Sequence, residues 1–488
     1  MLRSRSIRFP LLALFAFCAA LLAPAGAGAA IGELASFGGF DPKAGAGKLR
    51  APQGLALGSE AELYVAEESS NRISVFTAAG AFVRAFGRDV GGTGVNVCTT
   101  FCQEGTLDYP ASTTAGAMSQ PVDLAVDGSG RVFVSDHGNA RVDVFTGTGS
   151  FLYAFGKDVK PGGGSRCDAG TECKEGEFDE AAGAFRQLEG IGIGGAALYA
   201  ADGELNRVTV YSLEGTFLFA FGKNVNGGAG NPDVCTTSCQ EGEDEGTGSL
   251  DYPTDVAVGP DGNVYVAYNG LTSGVAVFTT QGAFLRRFGD SGPQALDGAS
   301  ALTLDATGAA HVVDEVTEEV KTFSATGTFV SGFAAEGAAG LARDCRGAFF
   351  VSDYDGGLDS SKVRRYGEPG TALPPCPPPA TPILVTVTPS NIFKFGKLKL
   401  NKQKGTATLV VKLPAPGKLT LKGNGLVRAT KNAQKAGDVK LTIKPKGKVK
   451  KKLNELGKAV AKARLTFTPT GGTAATKQKS LTLKKALG

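Results

Sequence analysis

The sequence predicts an all-β chain: a six-bladed β-propeller closed by its N-terminal strand over residues 31–367, followed by a small β-sandwich over residues 383–488. Three observations predict this. A strand signature recurs at near-regular spacing, the first and last copies of the unit are complementary fragments, and the composition changes abruptly after Tyr366.

The recurring unit is clearest between Gln120 and Gly156. Apolar alternation at 121–127, 131–135, 141–145 and 150–155 reads as four strands of an antiparallel meander. Gly, Asp and Asn fill each gap, where a turn needs positive φ or a side chain that bonds its own backbone. The fourth strand carries Phe-(Leu/Val)-x-x-Phe-Gly, which stands at Phe82–Gly87, Phe151–Gly156, Phe217–Gly222 and Phe284–Gly289, with a weaker copy at Phe329–Phe333. Leu34–Gly38 has the signature with no strands before it. Gly340–Asp353 and Lys362–Tyr366 supply three strands with no fourth after them. Joined, these fragments complete a sixth unit, and a ring shut in that way leaves no open sheet edge.

At these residues the chain resembles the NHL-repeat family of propellers. The likeness is carried by Pro52–Leu57, Leu63–Ala66 and Asn71-Arg-Ile-Ser-Val-Phe76, by Asn139–Phe145, by Leu198–Asp202 and Asn206–Tyr211, and by Pro253–Phe278. Units five and six depart from it, because Asp314-Glu-Val-Thr-Glu-Glu319 lacks the Asn-x-Arg turn. The resemblance implies a scaffold and leaves the chemistry open. Intracellular members of the family act as ligase subunits through separate zinc-binding modules; none is legible here, so that activity is not carried over.

Arg3, Arg5 and Arg8, the apolar run 11–22 and the small residues 25–30 read as a signal peptide over residues 1–30. The run falls short of the ~20 apolar residues of a membrane span, and no later segment is a transmembrane candidate. Cys18 follows Phe15-Ala-Phe17, too bulky for a lipoprotein cleavage site. Export leaves eight cysteines as disulfide candidates: Cys98, Cys102, Cys167, Cys173, Cys235, Cys239, Cys345 and Cys376. The first six form close pairs, one in each of three inserts (88–110, 157–180 and 223–252) that lengthen the connections after the first three fourth strands. Such connections are expected on one face of a propeller. Bridges four to six residues apart contribute about 2 kcal/mol each by loop closure, which predicts shaped loops with little influence on the core. The alternative is a thiolate zinc site shared by Cys98-Thr-Thr-Phe-Cys102 and Cys235-Thr-Thr-Ser-Cys239. Cys345 and Cys376 either bridge or stand as free thiols.

Residues 368–382 form a proline-rich linker. Beyond it, strands are expected at 393–400, 406–413, 418–422, 438–443, 462–468 and 479–483, with a helix over 447–460 on the spacing of Val449, Leu453, Leu456 and Val460. The runs at Gly405–Val411 and Pro416–Leu421 resemble immunoglobulin-like C-terminal modules of secreted bacterial proteins. The net charge of +4 conceals opposed halves: residues 380–488 hold 25 Lys+Arg and two acids, whereas the propeller and linker are strongly acidic, the three inserts included. The basic module is therefore expected to contact an anionic surface such as a cell-wall polymer, or an acidic propeller, the plain alternative being a solvated surface. Nucleic acid is not an expected partner, since Phe393, Phe395 and Phe467 are the module's only aromatic residues.

Catalytic chemistry is sparse. Two histidines, His137 and His311, do not assemble a three-histidine metal centre, and no Ser-His-Asp spacing or phosphate loop is present. No cofactor is expected. Asp353–Asp359 lacks the remaining ligands of a calcium loop, and Glu241–Glu245 reads as a solvated acidic loop. Asp136, Asp202 and Asp353, at the turn after the second strand, are expected to bind backbone amides. Asp123 and Asp255 are candidates for a central-channel site. The sequence thus favours a non-enzymatic binding or scaffold protein whose insert-bearing face recognises a protein or glycan, the alternative being a metal-dependent propeller lyase or hydrolase.

Overall fold

The computed structural model describes residues 31–487 except 59–61, 107–113, 227–232, 355–360, 369–392, 415, 435–436 and 471–473. The expected signal peptide, Cys376, most of the linker and most of the Asp353–Asp359 run lie outside these residues. The chain divides into two compact units at 383/384.

The first unit consists of six antiparallel sheets. Each begins with a strand at the centre of the unit: Pro52–Leu57, Pro121–Val126, Leu188–Gly194, Pro253–Val258, Ala299–Leu304 and Ala338–Arg343. These six strands neighbour one another in cyclic order, the sixth lying beside the first. Sheet six is made from both ends of the unit: Gly32–Gly38 pairs antiparallel with Lys362–Gly367, Phe37 opposite Val363 and Gly38 opposite Lys362.

The physical meaning of the Phe-Gly signature lies between the sheets. Its closing phenylalanine packs on the third-strand aromatic of the next sheet at every junction: Phe37 on Phe76, Phe86 on Phe145, Phe155 on Tyr211, Phe221 on Phe278, Phe288 on Phe323 and Phe333 on Tyr366, with ring centroids 4.9 to 5.3 Å apart. Each such pair contributes roughly 0.5–1.5 kcal/mol beyond its buried area. The hairpin glycine that follows the third strand makes room for it. Gly149 adopts φ +94°, and a Cβ there would stand 2.5 Å from the Cβ of Phe86. Gly282 repeats the arrangement against Phe221.

Three sheets depart from the four-strand expectation. Val97–Cys98, Arg166–Asp168 and Val234–Cys235 add a fifth strand at the outer edge of sheets one, two and three. The inserts therefore do more than decorate one face: each also covers a sheet edge that would otherwise present unpaired backbone.

The second unit holds a three-stranded sheet, in the order Lys394–Asn401, Thr406–Leu413 and Gly437–Ile443. Its four-stranded sheet runs in the order Ala429–Ala433, Gly417–Lys422, Lys458–Pro469 and Ala475–Lys484. Inward-facing residues of both sheets, among them Leu409, Val411, Leu421, Leu465, Phe467 and Leu481, form a single buried core with Leu453. Two expectations need correcting. The helix spans Gly447–Leu456 only, because Gly457 takes the left-handed conformation (φ 63°) and donates to the Leu453 carbonyl, after which the long strand starts at Lys458 and leaves Val460 exposed. Strand Ala429–Ala433 was not expected, since Ala-Thr-Lys-Asn-Ala has no apolar alternation.

Candidate functional site

The central strands enclose a cavity of about 530 Å³ lined by Asp123, Glu189, Tyr252, Asp255, Asn269 and Glu315, among others. Asp123 and Asp255 line it and are both tied to backbone amides. Asp123 accepts from the Ile191 N–H at 2.7 Å, and Asp255 from the N–H groups of Leu302 and Val256, each at 2.6 Å. They occupy matching positions in sheets two and four, and sheets one and three have glycine there. A Cβ on Gly54 would stand 2.2 Å from an Asp123 oxygen, and one on Gly190 would stand 2.3 Å from an Asp255 oxygen. Each carboxyl thus lies against the glycine of the preceding sheet and accepts from the central strand of the following one, tying three consecutive sheets round the cavity. Ser135 and Ser352 do similar work, donating to the carbonyls of Glu189 and Gln53 at 2.6 Å. Both aspartates keep some surface toward the cavity while lying deep within the protein. Burial raises Asp123 well above the carboxylate range, with Asp255 adding repulsion, and raises Asp255 to about 7.

The end of the cavity where the first strands begin is polar. Glu189 accepts from Gln187 Nε2 at 2.8 Å and from the Tyr252 hydroxyl at 3.3 Å, and burial raises its pKa. His137 sits at the same end, its Nδ1 2.9 Å from the Leu188 carbonyl. Across the opening, Glu68 accepts from Gln53 at 3.1 Å and Gln120 at 3.4 Å. Sequence reasoning missed this group of carboxylates, amides and a phenol, because its members come from first strands and turns of different sheets. His311 is elsewhere: buried, 2.9 Å from Thr322 Oγ1 and edge-on to Phe349, with its pKa lowered to about 4 by burial. Among the described residues, no three His, Cys, Asp or Glu side chains are grouped to hold a metal ion.

The inserts rise beside this end and share one design. Cys98–Cys102, Cys167–Cys173 and Cys235–Cys239 are disulfides, which excludes thiolate zinc ligation by these residues. Cys345 is disulfide-bonded as well. The second cysteine of each pair opens a repeated Cys-x-Glu-Gly: Cys102–Gly105, Cys173–Gly176 and Cys239–Gly242. The residue after that cysteine offers its carbonyl to a fully buried arginine: Arg72 to Gln103 at 3.1 Å, Arg141 to Lys174 at 3.1 Å and Arg207 to Gln240 at 3.2 Å. The glycine N–H then bonds the turn after the second strand, Gly105 to Ser70, Gly176 to Asn139 and Gly242 to Leu205, at 2.8, 2.8 and 2.9 Å.

These arginines are the Arg of the Asn-Arg or Asn-x-Arg turn, Asn71-Arg72, Asn139-Ala-Arg141 and Asn206-Arg207, and the turn is present in the three sheets that carry inserts. Each also faces a buried carboxylate at the end of the second strand: Glu67, Asp136 or Asp202. Sheets five and six place a base two residues later instead, Lys321 on Asp314 at 2.7 Å and Arg364 on Asp353 at 2.5 Å. Asp136 and Asp202 bind backbone amides, of Ser119 and Gln187 respectively, and Asp353 accepts from Arg364. The inserts are therefore anchored in the core, contrary to the expectation of loops with little influence on it. Their tips are exposed: Phe101, between the cysteines of the first bridge, is 88 % exposed, and Phe178 is 49 % exposed. A second cavity of about 610 Å³ lies between consecutive inserts, lined by Arg88, Asn96, Phe151, Thr171 and Glu172.

Residues 118–145 match the NHL repeat family. Solved structures similar to the chain include a streptogramin B lyase (12% identity, 68% of this chain and 96% of that one, TM-score 0.41) and virginiamycin B lyase from Staphylococcus aureus (13%, 65% and 94%, 0.40). A gluconolactonase from Xanthomonas campestris is similar at 14% identity over 69% of this chain and 99% of that one, with TM-score 0.40. No curated protein matches the chain.

Proposed function

We propose that the chain is an exported, non-enzymatic recognition protein: a signal peptide over 1–30, a six-bladed NHL-type propeller over 31–367, a linker over 368–382 and a Lys-rich β-sandwich over 383–488. The insert-bearing face takes a protein or glycan ligand, and the basic module contacts an anionic surface. One observation carries the reading: three core-anchored, disulfide-closed inserts hold exposed Phe101 and Phe178 on a strongly acidic background. Aromatic side chains on a rigid support are the residues that dominate binding energy at interfaces. The three disulfides support an oxidising compartment, and among the described residues no helix is long and apolar enough to cross a membrane. The test is capture from native envelope by the full chain and by a Phe101→Ser/Phe178→Ser variant. Loss of a captured species identifies the face; unchanged capture by the variant and by a chain lacking all three inserts removes these loops as the recognition surface.

A second reading, a metal-dependent lyase or hydrolase, draws on Glu189, His137 and Tyr252 at the polar end of the central cavity. Metal analysis of the purified protein separates the two, with a stoichiometric bound cation favouring the enzyme.

A further inference from the structure

We infer that the outward face of the four-stranded sheet in the C-terminal unit is a binding surface for a linear phosphodiester polymer, laid across strands Gly417–Lys422, Lys458–Pro469 and Ala475–Lys484. The inference rests on the reading that this module contacts an anionic surface, and it names the face and the ligand chemistry. Strand register places the side chains. Lys458 lies opposite Lys484, Lys462 opposite Ser480, and Lys422, Arg464 and Gln478 form one row. Next comes a rank of four threonines, Thr430, Thr420, Thr466 and Thr476, one from each strand, with Thr466 and Thr476 hydroxyls 2.9 Å apart. Lys418 stands beyond, opposite Asn432 and Thr468.

Six cations therefore share this face with hydroxyl and amide donors, and no acid falls on it. Among the described residues none of the six has an ion-pair partner; the unit's ion pair, Lys451 with Glu455 at 3.9 Å, is on the helix. With about 3.4 Å of rise per residue, Lys458 to Arg464 spans roughly 20 Å, and neighbouring strands stand about 4.8 Å apart. Charges are thus repeated at intervals on the scale of successive phosphates, and the hydroxyls between them are donors to phosphate oxygens or to polymer hydroxyls.

The face disfavours other anionic partners. Val460 is the one apolar side chain pointing outward in these rows, and a single valine is too little apolar surface to insert into a lipid bilayer. No aromatic side chain lies outward for a base to stack on. A folded protein partner would meet no apolar centre of the kind that interfaces require.

The test uses the full chain and immobilised poly(glycerol phosphate) across a salt series. Lys422→Gln/Lys462→Gln/Arg464→Gln removes three charges from the face; Lys448→Gln/Lys451→Gln/Lys452→Gln removes three from the helix. The face variant is expected to bind at least ~10-fold more weakly at low salt and to lower the slope of log K against log salt by about 2, while the helix variant changes affinity less than ~3-fold. Equal losses in both variants would overturn the assignment to this face while leaving the basic module as an anion binder. Absence of binding by the unaltered chain would sink the module reading together with the inference. Preference of the unaltered chain for anionic lipid vesicles over the polymer would overturn the ligand class.

Discussion

Single residues connect the inserts to the core, and their removal has sizes that can be stated. Arg141 lies between Asp136 at 3.2 Å and Asp143 at 2.9 Å, all three buried. Arg141→Met would leave two carboxylates facing each other out of water, a loss of about 3–5 kcal/mol, read by urea unfolding; a loss below ~1 kcal/mol would mean the carboxyls are already neutral and share a proton. Gly176 has no room for a methyl group, since its Cβ would stand 2.3 Å from the Ala140 carbonyl oxygen. Gly176→Ala should therefore cost about 1–3 kcal/mol by overpacking, whereas Gly170→Ala, whose Cβ meets nothing within 4 Å, suffers only from its φ of +80°. The cavity aspartates make a pH statement. A carboxyl raised to about 7 in the folded chain, from about 3.9 unfolded, adds stability that is fully present below pH ~4 and lost as pH rises through 7. Asp255→Asn removes that titration, so its melting temperature should fall less between pH 5 and pH 8 than that of the unaltered chain; parallel curves would refute it. Sequence exposed Asp123 and Asp255 as channel candidates but could not tell a ligand from a tie, because their partners Ile191 and Leu302 are 68 and 47 residues away.

Elements of ordinary length were readable because apolar alternation and turn residues agreed, and the strands of the six sheets fall close to where those signals place them. The outer fifth strands were not, since two or three residues around a cysteine hold no periodicity; their order comes from the bridge and from the buried arginine. The Cys-x-Glu-Gly repeat was the available signal, three copies at equal distance from each bridge. Its physical role yields a test at this scale. In Cys235→Ser/Cys239→Ser, closure of a short loop is lost, worth about 2 kcal/mol. Cys235 also leaves a buried cluster with Ala220 and Val225. Amide exchange at Gln240 and Gly242, bonded to Val225 and Leu205, should accelerate sharply. Protection at Val256–Val258 in the next central strand should persist. Equal acceleration in both places would mean that the insert and the sheets unfold as one.

At the scale of the whole molecule, the six aromatic junctions form a cycle, and one of them depends on a strand from the far end of the sequence. Complementary fragments make that pairing legible in the sequence; the phenylalanine contacts that give the signature its purpose are not, because each joins two sheets. Phe37 reaches Phe76 with centroids 5.0 Å apart, while Gly32–Gly38 supplies the fourth strand beside Lys362–Gly367. Removing residues 31–38 leaves strand 362–367 with open backbone groups and sheet one without its aromatic neighbour, a state prone to edge-to-edge association. The truncated chain should unfold at lower temperature and aggregate. Addition of a synthetic peptide of residues 31–38 should raise its melting temperature by strand addition, and the same peptide carrying Phe37→Ala should raise it far less, because it restores the backbone pairing without the ring contact. If both peptides rescue equally, the backbone ladder alone joins the ends. If neither does, the cycle of contacts is not what sets the stability of the first unit, and the inserts with their arginine anchors must hold it from outside.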